Sequence, residues 1–308
     1  MTNAPADSGA SQTRCGFVAL IGAPNAGKST LLNQMVGSKV SIVTHKVQTT
    51  RARIRGIALE RQTQIVFVDT PGIFQPRRRL DRAMVEAAWG GAADSDAVVL
   101  LVDAQRGVDE DVERILDGLK NSGRSAMLAL NKIDLVKHEA LLALTARLTE
   151  TADFSDVFMI SAEKGHGLDH LRKHLAELMP LGPWHYPEDQ IADIPLRSMA
   201  AEITREKLYL RLHQEVPYAL TVETEQWTSQ KDGSAKVEQT IYVERDSQKK
   251  IVIGKGGQSL KAIGKMAREE MAELFDHKVH LFLHVKVREK WGEEKERFQE
   301  MGLDFPKD

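Results

Sequence analysis

Residues Gly22 to Ser29 read GAPNAGKS, the pattern G-x-x-x-x-G-K-S, set between an apolar run, Phe17 to Ile21, and a helical pattern, Lys28 to Val36. In that setting the pattern is a phosphate-binding loop rather than a glycine turn met by chance. Gly22 and Gly27 let the chain wrap so that successive backbone N–H groups face inward, a concavity suited to anionic oxygens. The unpaired N–H groups and positive end of the following helix favour a diphosphate. Lys28 then reaches the β and γ oxygens, and the Ser29 hydroxyl is placed to hold magnesium. The predicted phosphate-binding set is Gly22, Asn25, Ala26, Gly27, Lys28, Ser29 and Thr30.

Three further motifs follow in order. Val66 to Val68 lead into Asp69-Thr70-Pro71-Gly72, where Asp69 at a strand end holds magnesium through water and the Gly72 N–H reaches a γ-phosphate. Leu128 to Leu130 lead into Asn131-Lys132-Ile133-Asp134. A carboxylate at Asp134 accepts from both N1–H and N2–H of guanine, whereas adenine has no matching donors. Asn131 ties this loop to the phosphate loop, the Lys132 stem covers the base, and Ser161-Ala162 supplies backbone N–H groups for the guanine O6. The nucleotide is therefore expected to be guanine, with discrimination of roughly four orders of magnitude. Between the first helix and the second strand lies Ser38 to Arg51, ending in Gln48-Thr49-Thr50-Arg51. A threonine hydroxyl there completes the magnesium shell only while the γ-phosphate is present. Thr49 and Thr50 both qualify.

These motifs need a sheet that gathers strand ends along one edge. Phe17 to Ile21, Gln64 to Val68, Ala97 to Val102, Ala126 to Leu130 and Val157 to Ile160 read as fully buried strands alternating with helical patterns, which predicts a largely parallel sheet covered on both faces. Ala52 to Glu60 joins Gln64 to Val68 through Arg61 and Gln62, a connection too short for a crossover, so this pair is expected to be antiparallel. The boundaries expected are a disordered tail over 1–14, a first domain over 15–181, a semi-rigid linker over 182–196 carrying Pro183, Pro187 and Pro195, a second domain over 197–290 and a charged tail over 291–308. That tail is expected to end in a short helix capped by Gly302.

The 308 residues suit two domains, and 42% apolar with 28% charged residues rules against global disorder. A net charge of −2 means that any basic surface is local. Cys15, the only cysteine, permits no intramolecular disulfide and is expected to be a small buried hydrophobe in a reducing compartment. Met1 to Arg14 is small and polar, unlike a signal or anchor, and the apolar runs are too short to span a membrane. A cytoplasmic protein is expected.

The second domain reads helix (Arg197 to Leu212), two strands (Tyr218 to Trp227, Lys236 to Glu244), a glycine turn, a long helix (Ser259 to Phe275) and a strand (Val279 to Val287). Ile253 to Gly257 read I-G-K-G-G, the G-x-x-G pattern with which KH domains clamp a nucleic-acid backbone. Lys249, Lys250, Lys255, Lys261, Lys265 and Arg268 flank it with no acidic residue from Ser247 to Arg268, the footprint that phosphate contacts need. The predicted RNA-binding set is Lys249, Lys250, Ile253, Gly254, Lys255, Gly256, Gly257, Lys261 and Lys265, with Ile251, Ile253, Leu260 and Ile263 as an apolar floor for bases. The element order is that of a type II KH fold. Ile251-Val252-Ile253 has strand propensity where that fold wants a short helix. His213, His277, His280 and His284 show no metal-site pattern and read as polar surface or partly buried groups.

With GAPNAGKST, QTTR, DTPG, NKID and SA in place, the first domain resembles the translation-factor-related class of GTPases. The resemblance implies a six-stranded, mixed but mostly parallel sheet and hydrolysis of GTP to GDP, with Lys28, Thr50 and Gly72 as catalytic residues and Ser29, Thr50 and Asp69 around magnesium. Thr50 is preferred to Thr49 because it directly precedes Arg51, as in relatives. Ile73 stands where Ras-type switches place a water-orienting glutamine, so slow basal hydrolysis is expected. In similar GTPases an asparagine at the place of Asn25 coordinates a potassium ion, which makes K+ a candidate second cation. Asn25 stabilising its own turn is the equal alternative. Arg77-Arg78-Arg79 reads as a solvated basic run, with a catalytic finger or an RNA contact as alternatives.

Across both domains the chain resembles the Era family of ribosome-assembly GTPases, within the TrmE-Era-EngA-like superfamily, through MAAEITREKL from Met199, VPYALTVE from Val216, IYVER from Ile241, QKKIVIGKGG from Gln248, and Trp291 after the last strand. The resemblance implies binding near the 3′ end of 16S ribosomal RNA, GTP favouring the bound form, and assistance to small-subunit assembly, with peripheral inner-membrane association in some relatives; a monomer is expected. The alternative is a ribosome-associated GTPase whose KH-like domain binds protein, as in the double-GTPase Der, where G-x-x-G is missing. A metabolic GTP-dependent enzyme finds no supporting cluster of His, Cys or paired carboxylates.

Overall fold

The computed structural model describes residues 12–306. Most of the expected N-terminal tail lies outside the described residues. Its end is fastened: Thr13 Oγ1 donates to Gly182 O (2.8 Å), and strand β1 already begins at Arg14 (Arg14–Gly22). The chain continues through α1 (Lys28–Val36), β2 (Ile54–Glu60), β3 (Thr63–Asp69), α2 (Arg79–Ala93), β4 (Ala97–Asp103), α3 (Glu110–Ser122), β5 (Ala126–Asn131), α4 (His138–Thr151), β6 (Phe154–Met159) and α5 (Leu168–Leu178). The first domain is an α/β P-loop fold. Pairs β1/β3, β1/β4, β4/β5 and β5/β6 are parallel, while β2/β3 is an antiparallel hairpin whose turn holds Arg61 at φ 55°. Alternation along β1 divides the core: Val18 and Leu20 pack with Leu31, Leu32, Leu171 and Leu175, and Ala19 and Ile21 with Ala88, Ile115, Leu116 and Leu148.

The sheet has seven strands rather than six, in the order β6-β5-β4-β1-β3-β2-β7, because the linker adds β7 (Ala192–Asp193) against Gly56 and Arg55. Pro187 and Pro195 flank this short strand and keep it to an edge. The linker is also pinned by Gln64, whose buried carboxamide accepts from the His185 and Tyr186 N–H groups and donates to Tyr186 O. It is therefore a strap on the sheet rather than a spacer. At the opposite edge β6 buries Phe158 in the core while its other residues are exposed or half-buried, so it is not the fully buried strand expected from its apolar content.

The second domain contains α6 (Leu196–Arg211), β8 (Leu220–Ser229), β9 (Ala235–Val243), α7 (Asp246–Ile253), α8 (Gln258–Leu274) and β10 (Val279–Val287). Its sheet runs β10-β9-β8, with β8 antiparallel and β10 parallel to β9, the α+β arrangement of a type II KH domain. Ile251-Val252-Ile253 is helical despite its strand propensity. Val252 is buried with Ile241, Val243 and Ile263, and Gln248 Oε1 accepts from the Glu244 and Arg245 N–H groups at the helix start, so packing and capping override local preference. Beyond β10, α9 (Lys295–Glu300) precedes Gly302 at φ 68°. This segment is more than a charged tail, since Trp291, Phe298 and Leu303 pack against Leu80, Ala83 and Met84 of α2.

Candidate functional site

Gly27 caps α1 at φ 98°, and a Cβ there would lie 2.2 Å from Asn131 Nδ2, so glycine is required for fit as well as conformation. Asn131 Nδ2 donates to Ala26 O (2.8 Å), while its Oδ1 accepts from the Lys132 and Ala162 N–H groups (2.8 and 2.9 Å). One carboxamide thus ties the phosphate loop to two strand-end loops. The Lys28 ammonium is buried and donates to Gly22 O (3.0 Å) and Ala23 O (3.1 Å). Burial pulls it down to about 8, against the opposing field of Asp69.

Ser29, Thr50 and Asp69 converge. Ser29 Oγ donates to Asp69 Oδ2 (2.7 Å) and lies 2.9 Å from Thr50 Oγ1, which donates to the same carboxylate oxygen at 3.3 Å. Asp69 is fully buried, and burial pushes its carboxyl up, opposed by Lys28 and three hydroxyl donors. Its other oxygen, Oδ1, has no hydrogen-bond partner among the described residues. An orphaned buried carboxylate oxygen beside two hydroxyls fits a hard, oxygen-seeking cation. Ser29, Thr50 and Asp69 would hold magnesium, which when bound neutralises phosphate charge. Thr49 is engaged elsewhere, donating to Lys46 O at 2.7 Å. Ser41, which no motif marks, is fully buried and donates to Asp69 Oδ2 at 2.9 Å.

Gly72 lies against the phosphate loop, where a Cβ would meet Pro24 backbone and ring atoms at 3.0 Å. Ile73 donates its N–H to Gly22 O (3.1 Å) and buries its side chain in the core with Ile21 and Ala88. It is a packing residue, so nothing polar at that position addresses an attacking water. Asn25, at φ 65°, donates from Nδ2 to His45 O (3.0 Å) and thereby links the loop to the segment 38–51.

On the base side Asp134 is exposed, and the Ser161 hydroxyl beside it holds its carboxyl below the usual range. Ser161 and Ala162 both have partners for their backbone N–H groups. Their N–H groups donate to His166 O (3.0 Å) and Asn131 Oδ1 (2.9 Å), so neither is uncommitted for a guanine O6, and Ala162 reaches one only by sharing its hydrogen. Lys132, at φ 65°, is oriented by Asp103 through a 2.6 Å ion pair, and Arg106 donates to Pro24 O (3.1 Å). Asp103 ends β4 on the same sheet edge as the motifs and was identifiable by that position.

In the second domain, Lys250, Lys255, Lys261, Lys265 and Arg268 are exposed, and Lys249 is half-buried. A Cβ on Gly256 or Gly257 would meet no atom within 4 Å, so the space above the turn is open to a ligand. An adjoining groove of about 660 Å³ is walled by Gly257, Lys261 and Lys265 and floored by Leu260, Leu281 and Leu283. This floor differs from the expected one: Ile263 is core, Ile251 points to solvent, and Ile253 is half-buried.

Two family models match the chain, "50S ribosome-binding GTPase" over residues 17–132 and "KH domain" over residues 215–292. GTPase Era of Rhizobium meliloti is 62% identical over 309 residues, covering 100% of this chain and 99% of that protein. The chain belongs to the Era family of GTPases. GTPase Era of Dinoroseobacter shibae is 64% identical over 299 residues, covering 96% of this chain and 97% of that one. Two crystal structures each match with a TM-score of 0.89 and 36% identity, covering 94% of this chain and 99% of theirs. One is an Aquifex aeolicus Era variant bound to GDP·AlF4−; the other is Era in complex with MgGDPNP and nucleotides 1506–1542 of 16S ribosomal RNA. This chain is accordingly a P-loop GTPase with a KH domain. No described helix is long and apolar enough to cross a membrane.

In this Era-family GTPase the segment 38–51 is fastened to the KH domain. Lys39 Nζ pairs with Glu206 Oε2 (2.7 Å) and with Glu270 of α8, while the Val43 N–H donates to Glu206 Oε1 (2.9 Å). Arg205 donates to Thr49 O, and Tyr209 OH to Gln48 O (3.4 Å). Arg51 donates to Leu220 O (2.8 Å) and Tyr209 OH (2.9 Å), with the Trp291 ring 5.6 Å away. Gln48 also donates to Asp81 Oδ1 (3.1 Å), whose other oxygen caps the Arg77 and Arg78 N–H groups at the start of α2.

Proposed function

We propose that this chain is a GTP-timed RNA-binding protein that engages small-subunit ribosomal RNA near its 3′ end through the KH domain and assists assembly of the small subunit. The observation carrying this reading is the double attachment of segment 38–51. At one end Thr50 joins Ser29 and Asp69; along its length Glu206, Arg205 and Tyr209 of α6, and Glu270 of the helix that follows G-x-x-G, hold it to the KH domain. A γ-phosphate and Mg2+ ordering Thr50 would therefore bias how the RNA-binding helix is held. The Era relative bound to MgGDPNP and 16S ribosomal RNA nucleotides 1506–1542 supports the choice of RNA. The proposed site residues are those of the four strand-end motifs and the basic G-x-x-G region, within the domain boundaries read from the sequence.

The deciding experiment measures the affinity of a fragment ending at the 16S 3′ terminus with a non-hydrolysable GTP analogue and with GDP. Tighter binding with the analogue is expected, and equal affinities would refute the coupling. Retained RNA binding after Lys255→Asp with Gly256→Asp would instead favour a protein partner for the KH domain. Asn25 is proposed to hold K+ through its carboxamide oxygen, since Nδ2 is committed to His45 O. Turnover in potassium would then exceed turnover in sodium, and equal rates would retire the idea. The protein is proposed to act as a cytoplasmic monomer, with any membrane contact peripheral.

A further inference from the structure

Asp69 Oδ2 takes three hydroxyl donors: Ser29 Oγ at 2.7 Å, Ser41 Oγ at 2.9 Å and Thr50 Oγ1 at 3.3 Å. Its Oδ1 takes none among the described residues. Ser29 and Thr50 are themselves placed to hold magnesium, and Thr50 is ordered for that task by a γ-phosphate. Ser41 differs from both. It is fully buried, and its backbone is fixed by groups that do not touch the nucleotide. Asn33, one helical turn beyond Ser29 on α1, accepts at Oδ1 from the Val40 and Ser41 N–H groups, both at 2.9 Å, and donates from Nδ2 to Ser41 O at 2.8 Å. Val40 and Ile42, on either side, are buried, while Lys39 and Val43 are held by Glu206 of α6.

We infer that Ser41 is a positioning residue for magnesium: it holds Oδ2 of Asp69 in both nucleotide states, leaving Oδ1 as the carboxylate oxygen open to the cation, and Asn33 holds Ser41 in turn. The inference rests on the reading of Asp69 as a magnesium-holding carboxylate. The terminal torsion of an aspartate is soft, so the plane of its carboxylate is set by whatever donates to it. Groups that donate to a metal-holding carboxylate therefore set how well it binds the ion, even without touching the ion themselves. Asp69 is fully buried, so no solvent replaces a donor that is removed. With alanine at position 41, Oδ2 keeps only the Ser29 and Thr50 hydroxyls, both of which the cation also engages. Without the γ-phosphate Thr50 is released, and Ser29 alone remains. The loss of Ser41 is therefore felt at least as strongly with GDP as with GTP. A buried serine that merely satisfied a carboxylate for folding would show no such dependence on Mg2+.

The test loads the full chain with fluorescent GDP or a fluorescent non-hydrolysable GTP analogue and times nucleotide release as Mg2+ is titrated. In Ser41→Ala the Mg2+ concentration that gives half of the slowing is expected to rise about tenfold with GDP and no more than that with the analogue, while release in EDTA matches the wild type. Thr50→Ala should show the opposite pattern, a shift with the analogue alone. Asn33→Ala should shift the half-point in the same direction as Ser41→Ala, and the two together should be less than additive because they act on one contact. An unchanged or lowered half-point in Ser41→Ala, a shift confined to the analogue, or equal loosening with and without Mg2+ would overturn the role of Ser41. If Asp69→Asn itself leaves the half-point where it was, the magnesium reading beneath the proposal falls instead. Should the melting temperature show that Ser41→Ala does not fold, the same outcomes are read on Asn33→Ala, which leaves the Ser41 hydroxyl in the chain but removes its support.

Discussion

Replacing Glu206 by glutamine tests whether the nucleotide state is passed to the RNA-binding helix through contacts in this structure. Glu206 is 3% exposed; its Oε2 accepts from Lys39 and Lys207, both at 2.7 Å, and its Oε1 from the Val43 N–H at 2.9 Å. Burial works against the carboxylate, but Lys207, Lys39 and the Val43 N–H outweigh it and hold Glu206 below the usual glutamate range. Glutamine keeps the volume and the acceptor for Val43 while removing the charge, so Lys39 and Lys207 are left to share Glu270. A hydrogen bond to a charged partner is worth about 1.5–3 kcal/mol against about 0.5–1.5 for a neutral one, so each of the two bonds weakens by roughly 1 kcal/mol. The Lys39 side chain is 29% exposed, which discounts its share through screening. Only that share crosses between domains, and slightly under 1 kcal/mol corresponds to a roughly threefold to fivefold loss of docking. Fluorescence anisotropy of a labelled 16S fragment should therefore show the preference for the GTP analogue over GDP shrinking by up to about fivefold. Combining Glu206→Gln with Lys39→Met should be less than additive, because both remove the same contact. An equal loss of RNA affinity in both nucleotide states would show that the network only stabilises the KH domain, and additivity in the double variant would place the coupling elsewhere.

Three other outcomes are expected. Gly72→Ala puts a Cβ 3.0 Å from the Pro24 backbone, an overpacking cost of about 1–3 kcal/mol, so single-turnover GTP hydrolysis should fall by roughly 5-fold to 160-fold while GDP affinity stays within about twofold. Asp134→Asn should exchange GTP for xanthosine triphosphate in competition titrations, and unchanged GTP binding would remove the guanine assignment. The docking network should be insensitive to pH from about 5 to about 10. Glu206, lowered in the folded state, contributes stability above the ordinary glutamate pKa and loses it as pH falls through its folded value. Lys207, raised by Glu206 and Glu270 despite burial, contributes below the ordinary lysine pKa and loses it as pH rises through its folded value. Energy transfer between dyes on the two domains should hold across that window and fall in acid before helical circular dichroism is lost.

The convergence of the strand-end motifs was legible because each calls for a particular residue type: glycine where a Cβ would strike Asn131, a lysine buried against the loop carbonyls, and a carboxylate facing Ser29 and Thr50. Ser41 was not, since a serine in an irregular segment looks the same whether it faces water or donates to Asp69. The commitment of the Ser161 and Ala162 N–H groups escaped for a related reason, because backbone partners leave no trace in residue identity. The linker strap and the docked C-terminal segment depend on isolated residues, Gln64 and Trp291, whose partners are distant in the chain. Helix α6 presents a different case. Thr204, Arg205, Glu206 and Lys207 are consecutive, polar and buried, a run with no apolar stripe for a core. Met199, Ala200, Ile203 and Leu208 of the same helix enter the KH core, while the polar run is enclosed because two bodies each supply partners, here Lys39, Val43 and Thr49 from the GTPase domain and Gln239 and Glu270 from the KH domain. Such a sequence reads as a solvated surface when periodicity is the guide. Its burial becomes intelligible only when the charges are matched in sign against both neighbours, which is why the contact that joins the two domains was the least visible from the chain alone.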